Sequence, residues 1–231
     1  MKPGARYLIL TLLVASLAAC STSQTKPSRA APTSSHSGFL QDYTLLQADP
    51  ADPDYLHYVA PDAHVSQYRK FIIDDPVFAL NTGDAYVSLD AAQVASFGDY
   101  YKSSMAAALA RHYQVVSAPG PGVARLRVAV SGMVEVRPQL KARDLIPFKA
   151  LFDAGRMAAG KSPYVLRMSF EAEATDSETG RLIGETVDSR ESTSTVAGKS
   201  TEPSDEQVRD LVDYWVARFV ARLDKANGFG P

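Results

Sequence analysis

The sequence predicts an α+β protein, a mixed or antiparallel sheet with two main helices packed on one face. Three observations carry that prediction. Residues 124–136 and 165–175 alternate apolar and polar side chains with the period of two expected of a half-buried strand. Residues 90–112 and 204–223 place apolar side chains at helical spacing behind a capping signal. The elements run β-α-β-β, a middle segment, then β-β-α, with no internal repeat of fixed period and no sustained strand-helix-strand alternation of the kind a parallel sheet needs.

Lys2 and Arg6 precede an apolar run from Tyr7 to Ala19 that is too short to span a hydrocarbon core of about 30 Å. The run ends in Leu17-Ala18-Ala19-Cys20, small residues in front of the only thiol of the chain, which is the form of a bacterial lipobox. Residues 1–19 are therefore expected to be a lipoprotein signal peptide, with Leu17, Ala18 and Ala19 as its cleavage motif and Cys20 as the lipidated residue. Each buried methylene of an acyl chain contributes about 0.8 kcal/mol, so a triacylated Cys20 holds the protein in the membrane through its lipid. Ser21, where an Asp resembles an inner-membrane retention signal, implies export to the outer membrane. Cleavage leaves 212 of 231 residues and, without Lys2 and Arg6, a formal charge of −4 in place of −2.

Residues 20–37 read as the acylated Cys and a flexible Ser/Thr/Pro-rich tether, because Ser21 to Ser37 has no large apolar residue to offset its ordering entropy. As a coil it reaches about 23 Å. Residues 38–231 read as a single α+β domain. Phe39, Leu40, Tyr43, Leu45 and Leu46 are apolar enough to pack on that body. The Asp/Pro/Tyr-rich stretch from Asp49 to Asp62 reads as an extended loop, with regular structure starting at Tyr68. Phe71-Ile72-Ile73 and Val77-Phe78 form a buried strand broken by Asp74-Asp75-Pro76, since Pro cannot donate to a ladder. Asp90 and Gln93 make a capping box for a helix to about His112, on which Val94, Phe97, Tyr101, Met105 and Leu109 share a face.

Gln114-Val115-Val116 is a short strand before the breaker Pro119-Gly120-Pro121-Gly122. In the strand 124–136, Leu126, Val128 and Val130 face one way and Arg125, Arg127 and Ala129 the other, the latter being a wet face. The strand 165–175 places Arg167, Ser169, Glu171 and Glu173 on its polar side. Asp176-Ser177-Glu178-Thr179-Gly180 turns the chain into a hairpin partner from Leu182 to Arg190, with solvent-facing charges pairing across strands. Ser204 and Gln207 cap a last helix whose stripe of Val208, Leu211, Val212, Trp215, Phe219, Val220 and Leu223 reads as core, ending near Asn227-Gly228.

Composition excludes some functions. With 24 Lys and Arg against 26 Asp and Glu the chain has no polybasic character, so a nucleic-acid partner is not expected. One Cys permits neither an intramolecular disulfide nor a cysteine-ligated structural zinc.

The candidate chemistries are weak by context. Gly155 to Ser162 fits the phosphate-loop pattern G-x-x-x-x-G-K-[ST]. However, Pro147 to Ala154 reads as a short helix where a strand is required. Pro163 also drives Ser162 out of the helical region, and a strand follows where a helix is required. No nucleotide and no cofactor is expected. His57, Asp62 and His64 lack metal-ligand spacing, and adjacent Asp74 and Asp75 point to opposite sides of a strand, so neither metal nor an acid-base dyad is expected there. No G-x-S-x-G elbow accompanies His112, which reads as structural. The aromatic cluster Phe39, Tyr43, Tyr55, Tyr58 and Tyr68 reads as cover for the sheet, with a recognition surface as its alternative.

Ser37-Gly38-Phe39-Leu40 with Asp42-Tyr43 and Leu46, the segment Tyr68 to Asp74, and Asp176 to Gly180 together resemble the bacterial lipoprotein family called domain of unknown function 3313. The resemblance covers most of the mature chain and implies a lipoprotein without an assigned activity. The order of elements also resembles small envelope α+β domains that act as partners in outer-membrane assemblies, an analogy of fold alone. The resulting expectation is a non-enzymatic binding or assembly module, lipid-anchored at Cys20 in the outer membrane, its body facing the periplasm and another envelope protein as its partner. The alternative is a periplasmic small-ligand carrier or hydrolase, which requires a deep apolar pocket with His112 or Asp74 at its mouth.

Overall fold

A computed structural model describes residues 36–80, 89–138, 163–200 and 202–229, all within the compact unit Ser34–Pro231. Strands β1 (Gln47–Asp49), β2 (Asp52–Val59), β3 (Lys70–Ile73) and β4 (Val77–Phe78) precede helix α1 (Ala91–Leu109). Strands β5 (Gln114–Val115), β6 (Val123–Val136), β7 (Pro163–Asp176), β8 (Leu182–Glu191) and β9 (Val196–Ala197) precede helix α2 (Asp205–Ala226). Among the described residues they form one mixed sheet in the order β1-β2-β8-β7-β6-β3-β5, with β4 beside β6 and β9 beside β7. The architecture is α+β, as the sequence predicts.

Both helices start where their capping boxes place them. The Asp90 side chain accepts from the Gln93 amide and Gln93 reaches back to the Asp90 amide; Ser204 and Gln207 do the same for α2. α1 is the crossover that brings β5 back parallel to β3. The long strands β6, β7 and β8 are antiparallel. Asp176 turns β7 into β8 by accepting from the amides of Glu178 and Thr179, and Gly180 supplies the left-handed φ of 71° that other side chains resist. One extra residue in β6 between Val130 and Gly132 restores Met133 to the same face as Met168. That face, with Phe71, Leu126, Val128, Val130 and Leu166, packs against Tyr101, Met105 and Leu109 of α1 and Leu211, Val212 and Trp215 of α2. Tyr100 of α1 donates to Asp213 of α2 and ties the helices together.

Two expectations are corrected. Regular structure begins before Tyr68, because most of Asp49 to Asp62 is strand. Pro53 is tolerated there because β2 pairs with β8 only from Leu56 onward, so its missing N–H interrupts no bond to β8. The second face of the sheet is also not simply wet. Glu171 is 1 % exposed, Glu173 7 % and Glu185 5 %. An arm of residues 37–45 lies over them: Ser37 donates its amide to Glu171 Oε1 at 3.1 Å and Tyr43 its hydroxyl to Glu171 Oε2 at 2.5 Å. Leu40 is buried and Arg127 stacks on the Phe39 ring at 4.9 Å. The cross-strand pairing foreseen for the charges does occur, Arg127 donating to Glu173 and Arg167 to Glu191. The phosphate-loop look-alike 155–162 and the short helix expected at 147–154 lie outside the described residues, and the strand expected after them is β7.

Candidate binding cavity

The helix-facing side of β7 and β8 narrows to small residues where α2 crosses it. Ala172 pairs with Thr186 and Ala174 with Gly184, while Val216, Phe219 and Leu223 of α2 stand opposite. Small residues beneath a helix leave the space between the layers unfilled, and a cavity of about 980 Å³ results. Small-molecule sites run from about 300 to 1,000 Å³, so this one is at the large end. Its walls are apolar, including Phe170, Val128 and Trp215, and the Trp215 indole stacks on Phe170 at 4.7 Å. Gly184 has no alternative at its place: a Cβ there would meet the Tyr58 carbonyl oxygen at 2.8 Å.

One end of the cavity is charged. Asp49, Asp52, Tyr55 and His57 from the β1–β2 hairpin face Arg218, Arg222 and Lys225 of α2. Arg218 and Arg222, one helical turn apart, stack on the Tyr55 ring at 4.1 and 4.0 Å. Arg222 donates to Asp49 at 2.8 Å, and Arg218 donates to Asp52 at 2.8 Å and to the Tyr214 hydroxyl. Arg190 bridges Asp52 and Asp188, and Trp215 donates its indole N–H to Asp188 at 3.1 Å.

These partners set the protonation of the site. The Arg222 hydrogen bond and the Ala51 amide hold Asp49 below the usual carboxylate range. Burial works against the Asp52 charge, but Arg190 and Arg218 outweigh it and lower its pKa. Burial dominates at Asp188 and raises its pKa despite Arg190. His57 is pushed down by burial and then by the Arg222 charge, which favours neutral imidazole. Two polar atoms here are buried without a partner, His57 Nδ1 and Arg218 Nε.

Cys20, Leu17, Ala18 and Ala19 lie outside the described residues. His57 is at the cavity mouth, Asp62 pairs with Arg181, and His64 precedes a short turn of 3₁₀ helix. Among the described residues no group of three or more His, Cys, Asp or Glu could hold a metal ion. Asp74 and Asp75 lie between β3 and β4 and diverge, Asp74 taking Arg125 and Asp75 taking Lys102. His112 bonds Asp224 at 3.2 Å; the same carboxylate accepts from Tyr113, whose phenol burial and the Asp224 bond push up to about 12. The deep apolar pocket that a carrier requires is present, but neither His112 nor Asp74 lines it. Of the aromatic cluster, Phe39 and Tyr43 cover the polar face of the sheet, while Tyr55, Tyr58 and Tyr68 line the cavity. Sequence reasoning missed Asp49, Asp52, Asp188, Arg218 and Arg222. The one available signal was the i, i+4 spacing of the two arginines beside a stripe read as core.

Comparison with known proteins adds the family. A family described as "Protein of unknown function (DUF3313)" matches residues 35–219. The chain belongs to that family. Its match spans the arm, the whole sheet and α2 as far as Phe219, and so takes in most of the cavity but not Arg222, Leu223 and Lys225. The "Uncharacterized lipoprotein YdcL" of Escherichia coli strain K12 is 22% identical over 199 residues, covering 85% of this chain and 86% of the relative. That relative's lipoprotein character fits a lipid-anchored envelope protein. No helix among the described residues is long and apolar enough to cross a membrane. Among solved structures, a PelC dodecamer from Paraburkholderia phytofirmans is similar with a TM-score of 0.36 and 10% identity, covering 73% of this chain and 95% of that one. A minor lipoprotein from Acinetobacter baumannii is similar with a TM-score of 0.34 and 11% identity, covering 68% and 92%.

Proposed function

We propose that the chain is an outer-membrane lipoprotein, cleaved after Ala19, acylated on Cys20 and carrying a non-enzymatic binding body on the tether 20–37, on the periplasmic side. The anchor reading is supported by the charged start, the apolar run, the lipobox and Ser21, and by the lipoprotein relative. Replacement of Cys20 by Ala is expected to abolish acylation and leave the precursor uncleaved. A mutant still marked by a metabolic palmitate analogue would overturn the lipobox reading.

For the body, one observation carries the proposal: the apolar cavity of about 980 Å³ under α2. It favours carriage of a small ligand as the form the binding takes. The charged groups at its mouth are engaged in ion pairs with one another, an arrangement that orients a guest. Native mass spectrometry of the intact lipoprotein isolated from membranes is expected to show a non-covalent adduct of defined mass that is lost on unfolding. The bare acylated mass alone would overturn the binding reading.

A further inference from the structure

We infer that the cavity holds a single-chain amphiphile with an anionic head, its chain along the Ala172 and Ala174 floor and its head at Arg218. The inference rests on the binding reading above and names the class of ligand. Two features of the site point to it. The floor and the α2 wall offer apolar surface and few donors over most of the cavity, so the buried part of a guest has to be hydrocarbon. Apart from Arg127, Glu173 and Glu185, which belong to the polar face of the sheet, the charged lining groups gather at the end under the β1–β2 hairpin, where the polar part of a guest fits.

The sign of the head follows from the mouth. Arg218, Arg222 and Lys225 line the mouth against Asp49, Asp52 and Asp188, an even balance, so the sign of the head rests on Arg218. Arg218 spends its Nη1 on Asp52 and Tyr214 and leaves a buried Nε–H with nothing to donate to. A buried donor without a partner is costly, and a carboxylate or phosphate oxygen is the acceptor that gives the guanidinium N–H its strongest, charge-assisted hydrogen bond. The shared chemistry is one acyl chain with an anionic head, and a free fatty acid and a monoacyl phospholipid are its two sources.

Trp215 makes the test direct, because it is the only tryptophan in the chain and it lines the cavity. The mature-length chain carrying Cys20→Ser, which has no acyl groups of its own, is titrated with chain-brominated alkanoates of increasing length and with a brominated monoacyl phospholipid. Saturable quenching is expected from at least one series, tightening about fourfold per added methylene until the floor is filled. Ala172→Leu, which fills the floor, should weaken binding at least tenfold; if it fails to fold, Ala174→Leu replaces it. Arg218→Gln should weaken alkanoate roughly ten- to hundredfold and leave the matching neutral alkanol unchanged. Whichever series binds identifies the source. Affinity independent of chain length would overturn the chain assignment, and equal affinity for alkanoate and alkanol would overturn the head. No quenching by any amphiphile, with the native adduct still seen, overturns this inference and leaves the binding reading standing; no quenching and no adduct overturns both.

Discussion

The two faces of the sheet are built from the same strands and solve opposite problems. Toward the helices, β6 and β7 present Leu126, Val128, Val130, Met168 and Phe170, and burial of that surface holds α1 and α2 in place. Away from the helices the same strands present Arg127, Glu171 and Glu173, with Glu185 from β8, and a short arm rather than a helix covers them. The apolar face is under-filled in volume and leaves a cavity. The polar face is under-filled in partners: Glu173 and Glu185 sit directly opposite in register, and Glu185 Oε2 is buried with no hydrogen bond. Alternation along a strand decides which face a residue joins, while the covering element decides what that face can do.

The largest way to break the comparison is on the apolar face. Trp215 is 7 % exposed, stacks on Phe170 and donates to Asp188. Trp215→Ala is expected to cost about 3 to 5 kcal/mol, through lost contacts and a cavity added to one already present. That is a large share of a stability of about 5 to 15 kcal/mol. Urea unfolding of the mature chain measures it, and an unshifted midpoint would mean that α2 does not seal the sheet.

A smaller effect is expected where the arm meets the polar face. Tyr43→Phe removes the 2.5 Å bond to Glu171 and leaves one oxygen of a buried carboxylate short of a donor. Hydrogen bonds to charged groups contribute about 1.5 to 3 kcal/mol, so a loss in that range is expected. Proteolysis between the arm and β1 should become faster than in the parent while the sheet core keeps its protection in hydrogen exchange. Equal exposure of arm and core would show that the arm is part of the main cooperative unit.

How much of this was legible in the sequence differs between the faces for physical reasons. The ends of α1 and α2 could be read from Asp90 with Gln93 and Ser204 with Gln207, because a cap is a local arrangement of a few residues. The three long strands could be read from their period. β1 and β2 could not, since Pro53 and the acids around it have the composition of a loop, and only the start of the β8 pairing at Leu56 shows why Pro53 is harmless. The cavity was invisible because Ala172, Ala174, Gly184 and Thr186 become a common floor only once β7 and β8 are in register under α2. Glu171, Glu173 and Glu185 read as solvated because polar alternation normally is. The arm residues Phe39, Leu40 and Tyr43 were recognisable as packing residues, but nothing local says which face they cover.

The smallest effect carries the opposite sign and sharpens the comparison most. Glu185 is shielded from water, faces the like charge of Glu173 and lies near that of Asp42, and all three raise its pKa above the usual carboxylate value. Arg127 is committed to Glu173 and to the Phe39 ring, so it gives Glu185 little relief. An acid whose folded pKa is raised binds its proton more tightly folded than unfolded. Its favourable contribution is complete below the ordinary value of 4.5 and is lost as pH rises through the folded pKa. At neutral pH the carboxylate therefore destabilises the fold. Glu185→Gln, of nearly the same shape and without the charge, is expected to stabilise the protein by about 0.2 to 1 kcal/mol at neutral pH, the size of a like-charge pair across two strands. The difference should shrink toward zero as the pH falls below the ordinary carboxylate value, where the parent side chain is itself neutral. Thermal unfolding of both proteins across that range reads it, and a Gln variant less stable than the parent at neutral pH would mean that the arm and the sheet supply Glu185 with a favourable partner.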